Sequence, residues 1–221
     1  MFDKANLECV IDIGACVGVF LDDCLERYDI GRVFAFEPLA SNFAYLSDKY
    51  QSDDRVTVLP QAVSNFSGRA QLYKKRYINR LLGIPVGWRY DFAGNAGSSL
   101  KEKSNVSLDN SAAVDVISLS DFIRSQSLEH IDILKIDSEG SEYDILHDLL
   151  DNDLIEKIDK VFFEDHVRKV PSIKSARNSF TERVRVLGIE DKFYLQDVET
   201  GDDLAYVPMT QALRRDFFKI V

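Results

Sequence analysis

The sequence predicts an α/β fold, a mostly parallel sheet with helices on both faces, and two observations carry the prediction. Short apolar runs of strand length alternate with segments whose apolar residues recur at helical spacing. Several of the apolar runs also end abruptly in a glycine or a carboxylate: Ile13-Gly14, Phe36-Glu37, Ile136-Asp137 and Phe163-Glu164. That is the pattern of buried parallel strands whose C-terminal ends share one edge, where such sheets bind ligands near the switch in strand order. With 221 residues, the chain is read as one domain spanning 1–221.

Cys9 to Ile13 is the first strand, closed by a glycine turn, and Val17 to Arg27 follows with apolar residues at 17, 20, 21, 24 and 25. Val33 to Phe36 is the second strand. Ser41 is the expected cap of a helix running to about Tyr50, and Val56 to Leu59 is the third strand. Gly68 to Tyr73 reads as an extra strand. Lys74 to Asn110 is polar, glycine-rich and interrupted by Pro85, and reads as a long excursion carrying Tyr77, Trp88, Tyr90 and Phe92. Alternation resumes with Ser120 to Arg124 (helix), Ile131 to Ile136 (strand), Glu142 to Leu150 (helix), Lys160 to Phe163 (strand) and Ser172 to Leu187 (helix). Lys192 to Gln196 and Leu204 to Val207 flank Gly201 and read as a closing antiparallel hairpin.

Composition narrows the function classes. Twenty-seven basic against 37 acidic residues give a net charge of −10, which argues against a surface that tracks phosphates, so no nucleic-acid partner is expected. No run reaches the roughly 18 apolar residues of a membrane span. Met1-Phe2-Asp3-Lys4 lacks the apolar stretch of a signal peptide, and a native N-terminal region ahead of Met1 is left open. Cys9, Cys16 and Cys24 are odd in number and show no ligand spacing, which fits free thiols in a reducing, cytoplasmic setting.

Three constellations carry chemistry. Asp12-Ile13-Gly14-Ala15-Cys16-Val17-Gly18 joins a strand to a helix, and its glycines let backbone N–H groups approach a ligand. The spacing is D-x-G-x-x-x-G rather than the dinucleotide pattern G-x-G-x-x-G, and the preceding carboxylate suits a cationic ligand better than a pyrophosphate. Glu37 ends the second strand, where a carboxylate accepts both hydroxyls of a ribose. Asp137 and Glu139 follow the strand at Leu134 to Ile136, one suited to act as a base and the other to fix ligand geometry; the alternative is a helix cap plus a surface charge. His166 ends the next strand, either as a base near neutral pH or as a partly exposed strand-end residue. His130 and His147 are read as structural, and no spacing supports a metal site.

These segments occur in one order: Asp-Ile-Gly-Ala at 12–15 with Gly18, Phe36-Glu37-Pro38 with Asn42, Ala62-Val63-Ser64 then Gly68, Ser99-Leu100, and Leu-Lys-Ile-Asp at 134–137 with Glu139, Gly140 and Glu142. Together they resemble the FkbM family of methyltransferases over residues 9 to 166. The resemblance implies a Rossmann-like, class I methyltransferase fold of seven strands, S-adenosyl-L-methionine (SAM) as cofactor with S-adenosylhomocysteine (SAH) as product, and methylation of an oxygen. It further implies that Asp12 and Gly14 line the methionine side, with Ala15, Cys16 and Gly18 as further cofactor-binding residues, that Glu37 holds the ribose with Pro38 and Asn42 shaping its loop, that Gln61 and Ala62 lie beside the adenine, and that Asp137 stands at the methyl-donor end. Asp137, Glu139 and His166 are the base candidates. Cys16 departs from the family's usual Asn, and Ser138 from an apolar residue.

The acceptor is expected to be a hydroxyl of a sugar or natural-product small molecule, with the 74–110 excursion and its Arg76, Arg80 and Arg89 as the acceptor wall. The competing readings are an NAD(P)-dependent oxidoreductase, which Glu37 would serve but the glycine spacing would not, and a non-catalytic SAM-fold module that binds a partner. Oligomeric state is not legible.

Overall fold

The structure is a computed structural model that describes residues 5–75, 78–79, 84–85, 97–101, 106–195 and 215–216. Its strands in chain order are β1 (Ala5–Ile13), β2 (Tyr28–Phe36), β3 (Val56–Leu59), β4 (Gln61–Ser64), β5 (Gly68–Lys75), β6 (Ile78–Asn79), β7 (Ile84–Pro85), β8 (Val106–Ser118), β9 (Ile131–Ile136), β10 (Ile158–Phe163), β11 (Phe193–Leu195) and β12 (Arg215–Asp216). The helices are α1 (Val19–Arg27), α2 (Ala40–Lys49), α3 (Leu119–Ser125), α4 (Glu142–Asp151) and α5 (Lys174–Leu187).

Seven strands form the main sheet in the order β12-β11-β10-β9-β1-β2-β3. All neighbours are parallel except β12, which runs antiparallel to β11. The chain steps outward from β1 through β2 to β3, then returns to place β9 on the other side of β1. The β1/β9 boundary is therefore the switch point at which open α/β sheets bind ligands. Both faces are covered. Ile11, Ile13, Phe34, Phe36, Leu134, Ile136 and Phe163 pack under α3, α4 and α5, while Val10, Val33, Ala35, Ile133 and Phe162 pack under α1 and α2. This period of two along each strand explains why the strand sequences are apolar nearly throughout.

Two polar residues interrupt the α1/α2 face. Asp12 on β1 and Lys135 on β9 are register partners. Both are buried, with Nζ of Lys135 3.0 Å from Asp12 Oδ1 and donating to the carbonyl of Gly14 at 3.0 Å. Burial opposes the charge on Lys135, but Asp12 and then Asp137 outweigh it and its pKa rises. Burial raises the pKa of Asp12, and Lys135 opposes that shift.

The boundaries differ from the sequence reading in several places; β1 and β2 begin earlier, at Ala5 and Tyr28, and β4 was not foreseen. α1 begins at Val19 behind a left-handed Gly18, not at Val17. Ser41 does not cap α2, which starts at Ala40 behind Leu39; the Glu37 carboxylate takes the Leu39 N–H instead. The excursion ends early, because Val106–Ser118 is a single long strand, β8. It pairs with β4 and β5 in a second, three-stranded sheet, whose polar alternation hides it among loop-like residues. Finally, the antiparallel partner of β11 is Arg215–Asp216; Gly201 and Leu204 to Val207 lie outside the described residues, as do Arg76, Tyr77, Arg80, Trp88, Arg89, Tyr90 and Phe92. Cys9, Cys16 and Cys24 are free thiols. Among the described residues, no helix is long and apolar enough to cross a membrane.

Replacing Lys135 with Met should leave the Asp12 carboxylate in the core without its counter-charge. Breaking a buried pair from one side costs about 3–5 kcal/mol. A urea titration should show a midpoint lowered accordingly, and Asp12→Asn combined with Lys135→Met should recover a large part of it. A wild-type midpoint for Lys135→Met would show that the pair does not hold the sheet.

Candidate functional site

The parallel register brings the strand ends level. Ile13 is partnered by Phe36 on one side and Ile136 on the other; Phe36 is partnered by Leu59, and Ile136 by Phe163. The next residue of each strand is tied to its neighbour's last carbonyl. Gly14 N–H donates to Phe36 O, Glu37 N–H to Leu59 O, Asp137 N–H to Ile13 O and Glu164 N–H to Ile136 O. Three carboxylates and one glycine therefore stand in a row on a single edge.

A cleft of about 640 Å³, measured to its open mouth, lies along this edge. Gly14, Cys16, Glu37, Pro38, Gln61, Ala62, Asp137 and Glu139 line it, each a residue expected from the sequence. Ser98, Leu100 and Ser138 also line it, over a floor that includes Ile13, Phe36 and Val63. Leu100 and Ser138 belong to segments singled out in the sequence, Ser98 lies in the 74–110 excursion, and Leu72, which the cleft also touches, lies in the strand read over Gly68 to Tyr73 but was not expected at the site.

Gly14 is where glycine is needed. Its φ is +78, and a Cβ there would meet the Asp137 carbonyl oxygen at 2.0 Å. The β1 turn thus lies directly against the β9 turn. Cys16 is left-handed (φ 52); its N–H donates to Glu37 Oε2 at 2.8 Å, and Leu39 N–H donates to Oε1 at 2.8 Å. Two backbone donors therefore aim the Glu37 carboxylate across the β1 turn. Burial pushes the Glu37 carboxyl up to about 7 against these donors and Lys135, with Asp12 adding to the rise. Burial and then Glu37 push the Cys16 thiol up to about 12, so it is neutral at physiological pH.

Five expected site residues do not line the cleft. Asp12 is 0% exposed and already paired with Lys135, so its charge is spent within the protein. Ala15 is buried, and Gly18 packs against Tyr50 and Leu46. Asn42 is buried with its Nδ2 3.8 Å from the Cys16 sulfur, beneath the loop it supports. His166 is also fully buried rather than partly exposed.

His166 sits behind the cleft carboxylates. Its Nδ1 is 2.7 Å from Oε1 of Glu142, the first residue of α4, and the same oxygen accepts from Gly140 N–H at 2.9 Å. Its Nε2 faces Glu139 at 3.3 Å, Glu164 at 3.3 Å and Asp137 at 3.9 Å. Burial opposes a charge on this ring, but Glu142 first and then Glu164 and Glu139 carry its pKa well above the ordinary value. Burial raises the Asp137 carboxyl, and Glu164 adds to the rise. Burial would raise Glu164 too, but His166 and Lys169 outweigh it and lower its pKa. Glu139 holds a left-handed backbone (φ 55), with its carbonyl accepting from Ser99 Oγ at 2.7 Å. His147 and His130 are elsewhere. His147 meets Ala176 O and Arg183, and His130 meets Asp132 and Asp159.

The sequence profile of the methyltransferase FkbM domain family matches residues 12–191, a span that contains the whole cleft. The methyltransferase sdnD of Sordaria araneosa is 27% identical over 162 residues, which cover 66% of this chain and 62% of that protein. A crystal structure of the methyltransferase FkbM from Methylobacillus flagellatus KT is similar at a TM-score of 0.48 and 18% identity, covering 86% of this chain and 38% of that one. The chain thus spans less than two thirds of the length of either relative.

Two glycine substitutions separate backbone strain from collision. Gly188 has φ +68 with nothing within 4 Å of a built Cβ, so Gly188→Ala should cost about 1–2 kcal/mol, the left-handed penalty alone. Gly14→Ala adds the 2.0 Å clash with Asp137 O and should cost clearly more, read as the two denaturation midpoints. Equal midpoints would show that the β1 and β9 turns are not in contact.

Proposed function

The chain belongs to the methyltransferase FkbM domain family, and on that premise we propose that it transfers a methyl group from SAM to a hydroxyl oxygen of a sugar or other natural-product small molecule. One juxtaposition carries the reading: the Glu37 and Asp137 carboxylates line a single cleft on either side of the Gly14 turn.

The cleft residues fit the cofactor. Glu37, aimed by the N–H groups of Cys16 and Leu39, is an acceptor for the two ribose hydroxyls. Gln61 and Ala62, with Pro38, line the same cleft and would flank the adenine. The cationic methionine end finds its counter-charge in Asp137 rather than in Asp12, because Lys135 already neutralises Asp12. Ala15, Gly18 and Asn42 act from beneath, holding the loop that Cys16 presents. When bound, SAM supplies a methyl group already activated by its positive sulfur.

The chain's own residues then position the acceptor and take its proton. Asp137 and Glu139 face the cleft, and His166 lies behind Glu139. This group receives the hydroxyl proton as the oxygen–carbon bond forms and the carbon–sulfur bond breaks, and passes it to solvent. The acceptor side is supported by Ser98 and Leu100, through which the far end of the 74–110 excursion reaches the cleft.

Calorimetric titration of the full chain with SAH and with NADH tests the cofactor. SAH should bind once per chain; tight NADH binding without SAH binding would sink the proposal in favour of an oxidoreductase. Asp137→Ala should abolish transfer of labelled methyl from SAM to a pool of hydroxyl compounds, and retained transfer removes Asp137 from the site. SAH binding by the wild type with no transfer to any pool would instead favour a binding module.

Glu37 gives the binding a pH dependence of known sign. Its folded-state pKa of about 7 lies above the ordinary 4.5, so the stability it contributes is complete below 4.5 and is lost as pH rises through 7. Ligand binding runs the other way, because the ribose needs the ionised carboxylate. SAH affinity should therefore rise with pH through 7, and be about tenfold weaker at pH 6 than at pH 8 or above. Glu37→Gln should bind more weakly and show no such slope; a slope that survives in this variant assigns it to another group.

A further inference from the structure

We propose that Asp137, Glu139 and His166 bind a first-row divalent metal cation, with Glu164 as a further oxygen donor. The donors come from two strand ends, the β9–α4 turn and the residues after β10. One ligand atom from each of Asp137, Glu139 and His166 lies within 4.8 Å of the others. The separations from His166 Nε2 are 3.3 Å to Glu139, 3.3 Å to Glu164 and 3.9 Å to Asp137. Two donors each about 2.1 Å from one ion stand about 3.0 Å apart at a right angle and about 3.4 Å apart at the tetrahedral angle. Glu139 and Glu164 thus stand at coordination-shell separation from His166 Nε2, and Asp137 lies about 0.5 Å beyond it.

A second observation is independent of the carboxylates. The His166 side chain is 0% exposed, and its Nε2 is buried without a hydrogen-bond partner although it points into the acidic group. The other ring nitrogen is committed, since Glu142 Oε1 stands 2.7 Å from Nδ1. A carboxylate there accepts, so Nδ1 is the donor, and a cation that displaces the Nε2 proton of the charged ring would meet a lone pair facing Asp137, Glu139 and Glu164. Carboxylate, imidazole and metal in line is how proteins commonly orient a histidine ligand. Asp137 Oδ1 is likewise buried and without a hydrogen-bond partner.

The charge balance also favours a cation. Asp137, Glu139 and Glu164 converge on this point. Lys169 meets Glu139 at 3.7 Å and Glu164 at 3.5 Å from the rim. Lys135 is 3.9 Å from Asp137 and is engaged by Asp12. One imidazole with two or three carboxylates suits Mn²⁺, Fe²⁺ or Zn²⁺ better than the all-oxygen preference of Ca²⁺. Asp137 and Glu139 line the cleft, so the ion would face the acceptor and lower the pKa of a coordinated hydroxyl, whose proton leaves to solvent. That role rests on the transferase reading; metal binding does not.

The test uses the full chain after dialysis against EDTA and removal of the chelator. Mn²⁺ is titrated and read by loss of the free-ion electron paramagnetic resonance signal, and Zn²⁺ is titrated by calorimetry. One site per chain is expected, weakened at least tenfold in Glu139→Gln or His166→Gln. It should be unchanged in Asp159→Asn, which alters the separate His130–Asp132–Asp159 cluster. Circular dichroism and urea midpoints identify which variants are folded, and Glu139→Gln, at the cleft wall, is the milder of the two. No site for either ion, or a site undiminished in both variants, overturns the proposal; in the first case the group holds a proton on His166 instead. SAH titration in EDTA keeps the two readings apart. SAH binding without a metal site overturns the metal alone, and a metal site without SAH binding overturns the cofactor alone.

Discussion

The buried pair of Asp12 and Lys135 fixes the register on which the rest of the molecule depends. Apolar strands such as β1 and β9 slide past one another with little to choose between alignments, because nearly every side chain is acceptable on either face. A charge pair buried at a single register position removes that freedom: a slip of one residue would set Lys135 among aliphatic side chains with no partner. Such a pair adds little net stability over an apolar replacement, but it specifies one arrangement. Lys135 also holds the Gly14 carbonyl, so the same ammonium that aligns two strands shapes the turn at their ends.

Aligned strand ends divide the cleft into two electrostatic halves. On the β2 side, Glu37 is held by backbone donors from two different segments, Cys16 and Leu39. On the β10 side, Asp137, Glu139 and Glu164 surround one imidazole that Glu142 orients from behind. Glu142 is fully buried, and its Oε1 serves both Gly140 and His166. It is a positioning residue, linking the start of α4 to the β9–α4 turn and to the histidine after β10.

β1, β2, β9 and β10 were legible because each closes in an apolar stretch ended by a glycine or a carboxylate, and so was the row of Gly14, Glu37 and Asp137, whereas β12, the dipeptide Arg215–Asp216, was not. What was not legible depended on side-chain partners far apart in sequence. Asp12 looks like a ligand for a cation until Lys135, more than a hundred residues away, is seen beside it. His166 reads as either a cleft-edge base or a partly exposed strand-end residue until Glu142 and Glu139 are seen to enclose it. β8 was missed because it belongs to a small sheet whose outer face is polar, so its alternating sequence resembles a loop. Ser41 matched the capping pattern, but α2 begins at Ala40, which puts Ser41 inside the first turn rather than ahead of it.

Tyr73 and Ser99 exchange backbone hydrogen bonds in both directions, at 2.8 and 2.9 Å. The two ends of the chain that runs between them are therefore held together at this bridge. Ser99 further anchors the exit, donating to Glu139 O and accepting from Lys101 N–H. For a closed loop, each doubling of length costs only about 0.6 kcal/mol. The segment can thus be lengthened, shortened or exchanged between sequences without moving the sheet edge. The two ends of the excursion are thereby pinned side by side, so a change within it need not displace the edge that Gly14, Glu37 and Asp137 share.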